Sequence, residues 1–243
     1  MNANFSRILS TAIVAENARG HVAVIPDIKC FSPKDGDLLR GRNPIEMAQC
    51  LVSYGAPALS VVTQKEHFGG SAELLQAITD VVNVPVLRKD FITNEDMLKE
   101  TVALGAAAVL LICATTDKKI LTSLYDKAIE LGLEPFVEAH TKEEMEFAVR
   151  LKARLIGINN RDILAFERDN GGAAHTAELA LNVPAGALLI SESGILSPDD
   201  AKLVSSVGTN AILAGTALWQ ADNLKEAYRL FCVERRREPC VQS

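Results

Sequence analysis

Short apolar runs that end in a polar residue recur along the chain. The clearest is introduced by Pro85 and runs from Val86 through Leu87 to Lys89. A run this short predicts a buried β-strand. A lysine at the edge of a core is costly unless something uses its charge. The same pattern leads into further polar positions, namely Asp27 and Lys29, Glu138, Asn159, and Glu192.

Helical patterns with cap signals separate these runs. The signals are Asn43 before Pro44, Ser71, Asn94, Thr141 three residues before Glu144, and Ser197 before Pro198. The predicted strands are His21–Ile28, Ala58–Thr63, one that carries Lys89, Ala107–Ile112, one that ends at Glu138, Leu155–Asn159, Ala187–Ser191 and Ala211–Ala214. Strict alternation of strands with helices indicates a parallel sheet.

The chain is predicted to fold as an α/β protein, a (βα)8 TIM barrel with a short N-terminal extension helix. A closed barrel fits better than an open doubly wound sheet, because the polar strand ends come from the whole chain and no GxGxxG follows the first strand. The length of 243 residues suits one barrel of about 250. We expect a single domain over 1–243, with an extension at 1–21, a barrel at 22–233 and a solvated tail at 234–243. Phe5, Leu9 and Ile13 share the apolar face of the extension.

Charge and cysteine usage exclude several classes of protein. The net charge is −6 and no basic block interrupts the predicted domain, which argues against nucleic acid or an anionic membrane as a partner. The five cysteines and four histidines show no metal-ligand or CxxC spacing, so we expect reduced thiols and no metal. The sequence shows no apolar core of a signal peptide and no apolar run of about 18 residues, so we expect a cytoplasmic protein.

Glycines after the last two strands point to a phosphate site. Gly194 follows strand seven, and Gly215 with Thr216 follows strand eight, where a short helix beginning at Gly215 would aim N–H groups at an anion. Each glycine alone is more often an ordinary turn residue. Both together after strands seven and eight favour phosphate.

The two lysines at strand ends, Lys29 and Lys89, are expected to meet at the barrel mouth. Two ammonium groups that lie close together lower each other's pKa, which would suit one of them to proton donation. The alternative for a single lysine is a solvated surface charge, and for Lys65, Lys99 and Lys202 we accept that alternative.

Carboxylates complete the set of titratable groups at the mouth. Asp27, Glu138 and Glu192 together with two lysines can run proton transfers without a metal or a cofactor. Asn159 adds a hydroxyl contact. Arg161 either clamps a carboxylate of the substrate or forms a loop salt bridge with Asp162, and these alternatives are about equal. The residues indicate a cofactor-independent barrel enzyme that acts on a phosphorylated small molecule with a second anionic group.

Five motifs in order resemble the indole-3-glycerol phosphate synthase family, over about residues 22 to 230. They are Asp27-Ile28-Lys29 with Ser32-Pro33, Leu59–Thr63 with His67-Phe68-Gly69-Gly70-Ser71, Val86–Phe91, Gly157–Asp162, and Ser191–Ile195. The resemblance implies a (βα)8 barrel of tryptophan biosynthesis. It implies a carboxy-lyase without a cofactor, which closes the indole ring of 1-(2-carboxyphenylamino)-1-deoxyribulose 5-phosphate and releases CO2 and water.

The resemblance also implies residue roles. Lys89 would be the general acid that protonates the ribulose carbonyl oxygen, and Glu138 an acid/base in the later dehydration. Lys29 would bind an anionic group and assist proton transfer, while Asn159 and Glu192 would orient hydroxyls and lysine side chains. The remaining implied contacts are substrate binding by Ser32, Phe68, Arg161 and Ser193, and phosphate binding by Ser193, Gly194, Gly215 and Thr216. Asp27 is counted with the catalytic residues.

The departures from the family pattern lie at the end of strand one. The family usually has glutamate at the position of Asp27, and a second serine at that of Lys34. Two other hypotheses stay open: a related barrel that acts on a different phosphorylated substrate, and a weakly active binding or assembly subunit. The intact Lys89, Glu138 and Asn159 argue against the latter. We expect a monomer or a weak homo-oligomer.

Overall fold

Eight parallel strands close into a barrel in the computed structural model, which describes residues 8–165 and 172–235. The strands are β1 (Ala23–Ile28), β2 (Leu59–Val62), β3 (Val86–Lys89), β4 (Ala108–Ile112), β5 (Glu134–Ala139), β6 (Leu155–Asn159), β7 (Leu188–Glu192) and β8 (Ala211–Ala214). Their order around the barrel follows the chain, and β8 closes onto β1 with Ala211 beside Ala23. The predicted TIM barrel is confirmed.

Helices alternate with the strands and cover the barrel. They are α1 (Leu9–Ala18), α2 (Pro44–Ser53), α3 (Lys65–Phe68), α4 (Ala72–Val81), α5 (Glu95–Ala103), α6 (Lys118–Glu130), α7 (Lys142–Arg150), α8 (Ala174–Leu179), α9 (Pro198–Ser206), α10 (Thr216–Gln220) and α11 (Leu224–Phe231). Three-residue 3₁₀ turns lie at Cys113–Thr115, Ile163–Ala165 and Ala180–Asn182. Within the described ranges no helix combines the length and the apolar character needed to cross a bilayer.

The predicted caps set the helix starts. Side chains of Asn43, Ser71, Asn94, Thr141 and Ser197 each accept a hydrogen bond from a backbone N–H in the first turn of the helix that follows. A cap of this kind stabilises a helix by about 1 kcal/mol. Because each cap begins a barrel helix, it fixes where the preceding βα loop stops.

The extension helix α1 closes the barrel from below. Its Leu9 and Ile13 are buried and share one apolar cluster with inward-facing residues such as Ile25, Leu87 and Phe136. The predicted inward face is therefore confirmed for Leu9 and Ile13. Phe5 lies outside the described residues.

Local contacts set the structure of two short segments. His67 and Phe68 lie in the short helix α3, because the Gln64 side chain accepts a hydrogen bond from the His67 N–H (2.8 Å) and starts the turn. The predicted tail begins with the exposed Glu234, and the next residue is tied to the barrel: the Arg235 N–H donates to the Gly20 carbonyl (2.8 Å) and its guanidinium to that of Gly208 (3.1 Å). Residues 236–243 lie outside the described ranges.

Candidate active site

The carboxyl ends of the strands surround a cavity whose empty volume, including its opening to solvent, is about 840 Å³. All residues predicted for the site line this cavity except Ser32 and Glu192. Strand ends of a closed parallel barrel converge on one mouth, so residues far apart in the sequence meet there.

Glu192 lies behind the cavity wall and pairs with Lys89. Its side chain is fully buried, and its Oε2 is 2.7 Å from Lys89 Nζ. Burial alone would lower the pKa of Lys89, but Glu192, Asp27 and Glu138 together outweigh it and raise that pKa. The expectation that a neighbouring ammonium lowers the pKa is therefore wrong for Lys89. The side chain presents a firmly charged ammonium group to the cavity.

A glycine makes room for the buried Glu192. A Cβ atom on Gly157 of β6 would lie 2.7 Å from Glu192 Oε1 and 2.4 Å from Cζ of Phe136. Both distances are shorter than any real van der Waals contact, so only glycine allows the ring and the carboxylate to pack against this strand.

Glu138 lies near the end of β5 and lines the cavity. Its side chain is buried, and its Oε1 accepts a hydrogen bond of 2.9 Å from Asn159 Nδ2. Burial and the nearby Glu192 raise the pKa of Glu138, and Lys89 and the Asn159 amide oppose this only in part. A raised pKa makes a carboxyl group a more ready carrier of a proton than one with the ordinary value, which suits Glu138 to acid–base chemistry.

Asp27 is set back against the neighbouring strands. Ser60 on β2 donates a hydrogen bond of 2.7 Å to its Oδ1, and the Trp219 indole N–H donates to its carbonyl at 2.7 Å. A Cβ on Gly215 would lie only 3.3 Å from Asp27 Cβ. The shorter acid therefore fills a closed site between β2 and β8.

Lys29 and Phe68 form one side of the mouth. Lys29 is buried, and its Nζ lies 5.7 Å from the centroid of the Phe68 ring, within the range of a cation–π contact. Phe68 reaches this position because α3 ends there, at Gly69 in the left-handed region (φ +65°). Phe68, predicted to contact the substrate, and Lys29 therefore lie side by side at the mouth of the barrel.

Ser32 points into its own turn. Phe31–Ser32 pairs with Gly36–Asp37 in a small hairpin, and Ser32 Oγ accepts from the Asp35 N–H at 3.2 Å. In the described structure the cavity wall includes none of residues 30–42, the loop that carries Ser32. Arg42 instead ties this loop to α10 by donating to the Trp219 carbonyl.

The predicted phosphate end is formed by the segments after β7 and β8. Ser193 and Gly194 both have positive φ (58° and 65°), a backbone that costs a non-glycine residue roughly 1–2 kcal/mol. Buried Asn160 offsets that cost, because its Nδ2 donates to the carbonyls of Ser193 (2.9 Å) and Glu192 (3.0 Å). Gly215 and Thr216 line the same end of the cavity.

Several lining residues were missed by the sequence analysis. The polar ones are Gln64, Asp90 and Asp162, and the apolar ones include Phe91, Ile163 and Leu196. A usable signal existed, because each lies within a few residues of a strand end. Over residues 8–165 and 172–235, no three His, Cys, Asp or Glu side chains are grouped as a metal site would require.

Comparisons with known proteins agree with this geometry. The family model for indole-3-glycerol phosphate synthase matches residues 3–231. The indole-3-glycerol phosphate synthase of Pyrococcus furiosus is 41% identical over 208 residues, which cover 86% of this chain and 90% of that protein. That of Carboxydothermus hydrogenoformans is 42% identical over 213 residues, or 88% of this chain and 80% of that protein.

A solved structure, thiamine phosphate pyrophosphorylase from Pyrococcus furiosus, shares the fold. It superposes with a TM-score of 0.63 at 15% identity, covering 88% of this chain and 96% of that one. At this identity the likeness shows the barrel and nothing about the reaction. The match along almost the whole chain and the identity of about 40% do more: this chain belongs to the indole-3-glycerol phosphate synthase family, whose members are carboxy-lyases of tryptophan biosynthesis.

Proposed function

We propose that this chain closes the indole ring of 1-(2-carboxyphenylamino)-1-deoxyribulose 5-phosphate, with loss of CO2 and water, through the residues that line its cavity. The observation that carries this assignment is a pair of proton carriers in one cavity. Lys89 is held as an ammonium group by Glu192 at 2.7 Å, and Glu138 has a raised pKa. Neither group requires a cofactor to move a proton.

Lys89 serves the first step. Its ammonium group donates a proton to the ribulose carbonyl oxygen while the aryl carbon attacks and the new carbon–carbon bond forms. Glu192 orients the ammonium group, and the acidic residues Glu192, Asp27 and Glu138 favour its charged form, so Lys89 re-protonates readily between turnovers. Lys29, beside Phe68, attracts the substrate carboxylate that leaves as CO2.

Glu138 serves the later dehydration. Its proton moves to the departing hydroxyl, and Asn159 fixes the orientation of its carboxyl group through the 2.9 Å hydrogen bond. Arg161, buried in the cavity wall, clamps an anionic group. Ser32 stays a prediction, since its hydroxyl here serves its own turn.

Phosphate is expected to be the main affinity anchor. Gly215→Asp should abolish binding of phosphorylated ligands, because the new carboxylate repels phosphate and lies against Asp27, 3.3 Å from the added Cβ. Isothermal titration with inorganic phosphate measures the loss. Gly215→Ala is the control: it adds the same Cβ without a charge, so it should weaken binding far less. Unchanged phosphate affinity in Gly215→Asp would remove the anchor from this end of the cavity.

Asp27 is expected to be catalytic despite its shorter side chain. Asp27→Ala removes one of the three carboxylates that hold Lys89 charged, so kcat should fall strongly. Asp27→Glu should be neutral or worse, because Ser60 and Gly215 already enclose the aspartate. Steady-state turnover of the anilino-deoxyribulose phosphate measures both. If the native protein is barely active and Asp27→Glu has a higher kcat, the native barrel acts on another substrate.

We also propose a cellular location and an assembly state for the enzyme. We place it in the cytoplasm, as a monomer or a weak homo-oligomer that binds neither nucleic acid nor membranes. Light scattering at several protein concentrations tests the assembly state. A stable higher oligomer at micromolar concentration would contradict this proposal.

A further inference from the structure

Two histidines lie just behind the cavity wall. His140 follows β5 directly, two residues after Glu138, and His175 lies in the first turn of α8. Their ring centroids are 4.6 Å apart at an interplanar angle of 38°. Neither residue is among those that line the cavity.

His140 holds the main chain of Asn159. Its Nδ1 lies 2.8 Å from the Asn159 carbonyl oxygen. A carbonyl oxygen can only accept, so Nδ1 must carry the proton. The side chain of the same Asn159 donates to Glu138 Oε1 at 2.9 Å. The imidazole N–H of His140 therefore fixes the backbone of Asn159, whose side chain is the hydrogen-bond partner of Glu138.

His175 holds His140 in turn. Its Nε2 lies 2.5 Å from the His140 carbonyl oxygen, while the His140 N–H donates to Glu144 Oε2 at 2.7 Å. The backbone of His140 is thus held on both sides, by α8 and by the capping box of α7. Three consecutive hydrogen bonds, through His140 and Asn159, therefore connect His175 of α8 to the carboxyl group of Glu138.

We propose that His140 and His175 are positioning residues for the acid–base chemistry of Glu138, acting through the backbone carbonyls of Asn159 and His140. The proposal rests on the proposed role of Glu138. A proton transfer needs its donor within hydrogen-bond reach of the leaving oxygen, and a misplacement of about 1 Å can cost on the order of 10²-fold in rate. The two imidazoles limit such displacement from behind the residues that line the cavity.

Amide variants test the proposal by geometry. Asparagine places its N–H₂ where Nδ1 of histidine lies, and glutamine places it where Nε2 lies. His140→Asn and His175→Gln should therefore keep most of kcat. His140→Gln and His175→Asn should lose about 10- to 100-fold of kcat with KM and phosphate affinity near the native values. His21→Asn, exposed at the opposite end of the barrel, is the control for histidine loss.

The contrary outcomes separate this proposal from the role of Glu138. If His140→Asn loses as much kcat as His140→Gln with an intact circular dichroism spectrum, the positioning role is overturned. The same holds if all four variants keep kcat while Glu138→Gln is impaired. If Glu138→Gln keeps the native kcat, the proposed role of Glu138 fails, and with it any positioning through that residue.

Discussion

Replacing Lys89 with methionine is expected to lower kcat by about 10²–10⁴-fold, the usual contribution of general acid catalysis. Methionine keeps an unbranched side chain of similar length, so the cavity retains its shape while the proton donor is lost. Indole absorbance during turnover of the anilino-deoxyribulose phosphate measures the effect. A fall of less than about tenfold, roughly 1.4 kcal/mol of barrier, would mean that Lys89 contributes only binding.

The same substitution leaves Glu192 buried without its 2.7 Å partner. Breaking a buried ion pair from one side typically costs about 3–5 kcal/mol of stability, because an uncompensated charge remains. The double variant Lys89→Met/Glu192→Gln removes both charges. We expect it to recover much of the free energy of unfolding, measured in urea, and to stay inactive. Recovery of turnover in the double variant would show that the single variant failed for structural reasons.

Replacing Glu138 with glutamine is expected to separate the two halves of the reaction. Glutamine keeps the shape of the neutral carboxyl group and can still accept from Asn159, but it cannot transfer a proton. In a single turnover, CO2 release should continue near the native rate while indole formation slows by about 10²-fold or more. Acid quenching at timed intervals allows both products to be measured in the same samples.

A control on the same strand makes this comparison specific. Glu134 lies at the opposite end of β5, where it accepts from the Ser10 N–H at 3.0 Å. Glu134→Gln makes the same side-chain replacement on β5, yet it should leave both rates unchanged. Equal slowing of CO2 release and of indole formation in Glu138→Gln would place Glu138 in the first step and contradict the assignment.

The sequence was sufficient to place the residues that end a strand. Lys89, Glu138 and Asn159 follow apolar runs, and a parallel barrel must bring such positions to one mouth. Gly194 and Gly215 were found for the same reason. Local rules sufficed as well for the caps, since a side chain such as that of Thr141 bonds to its own helix.

Contacts between strands could not be derived in this way. The shift in the pKa of Lys89 is the net effect of burial and of three acidic residues on three strands. Its direction follows only from the distances between these residues in the folded barrel. Asn160 was overlooked because successive residues at the end of a strand point to opposite sides. The Asn159 side chain is hydrogen-bonded to Glu138, whereas that of Asn160 is hydrogen-bonded to Ser191 and Thr176. Ser60 and His140 likewise act through partners distant in the sequence.

The most direct test of this account is the rate at which the native chain converts 1-(2-carboxyphenylamino)-1-deoxyribulose 5-phosphate, followed by indole absorbance, with Lys89→Met as the background. We predict saturable turnover by the native chain that exceeds this background by about 10²-fold or more. A native rate no higher than that of Lys89→Met, in protein that still binds inorganic phosphate, would contradict the account.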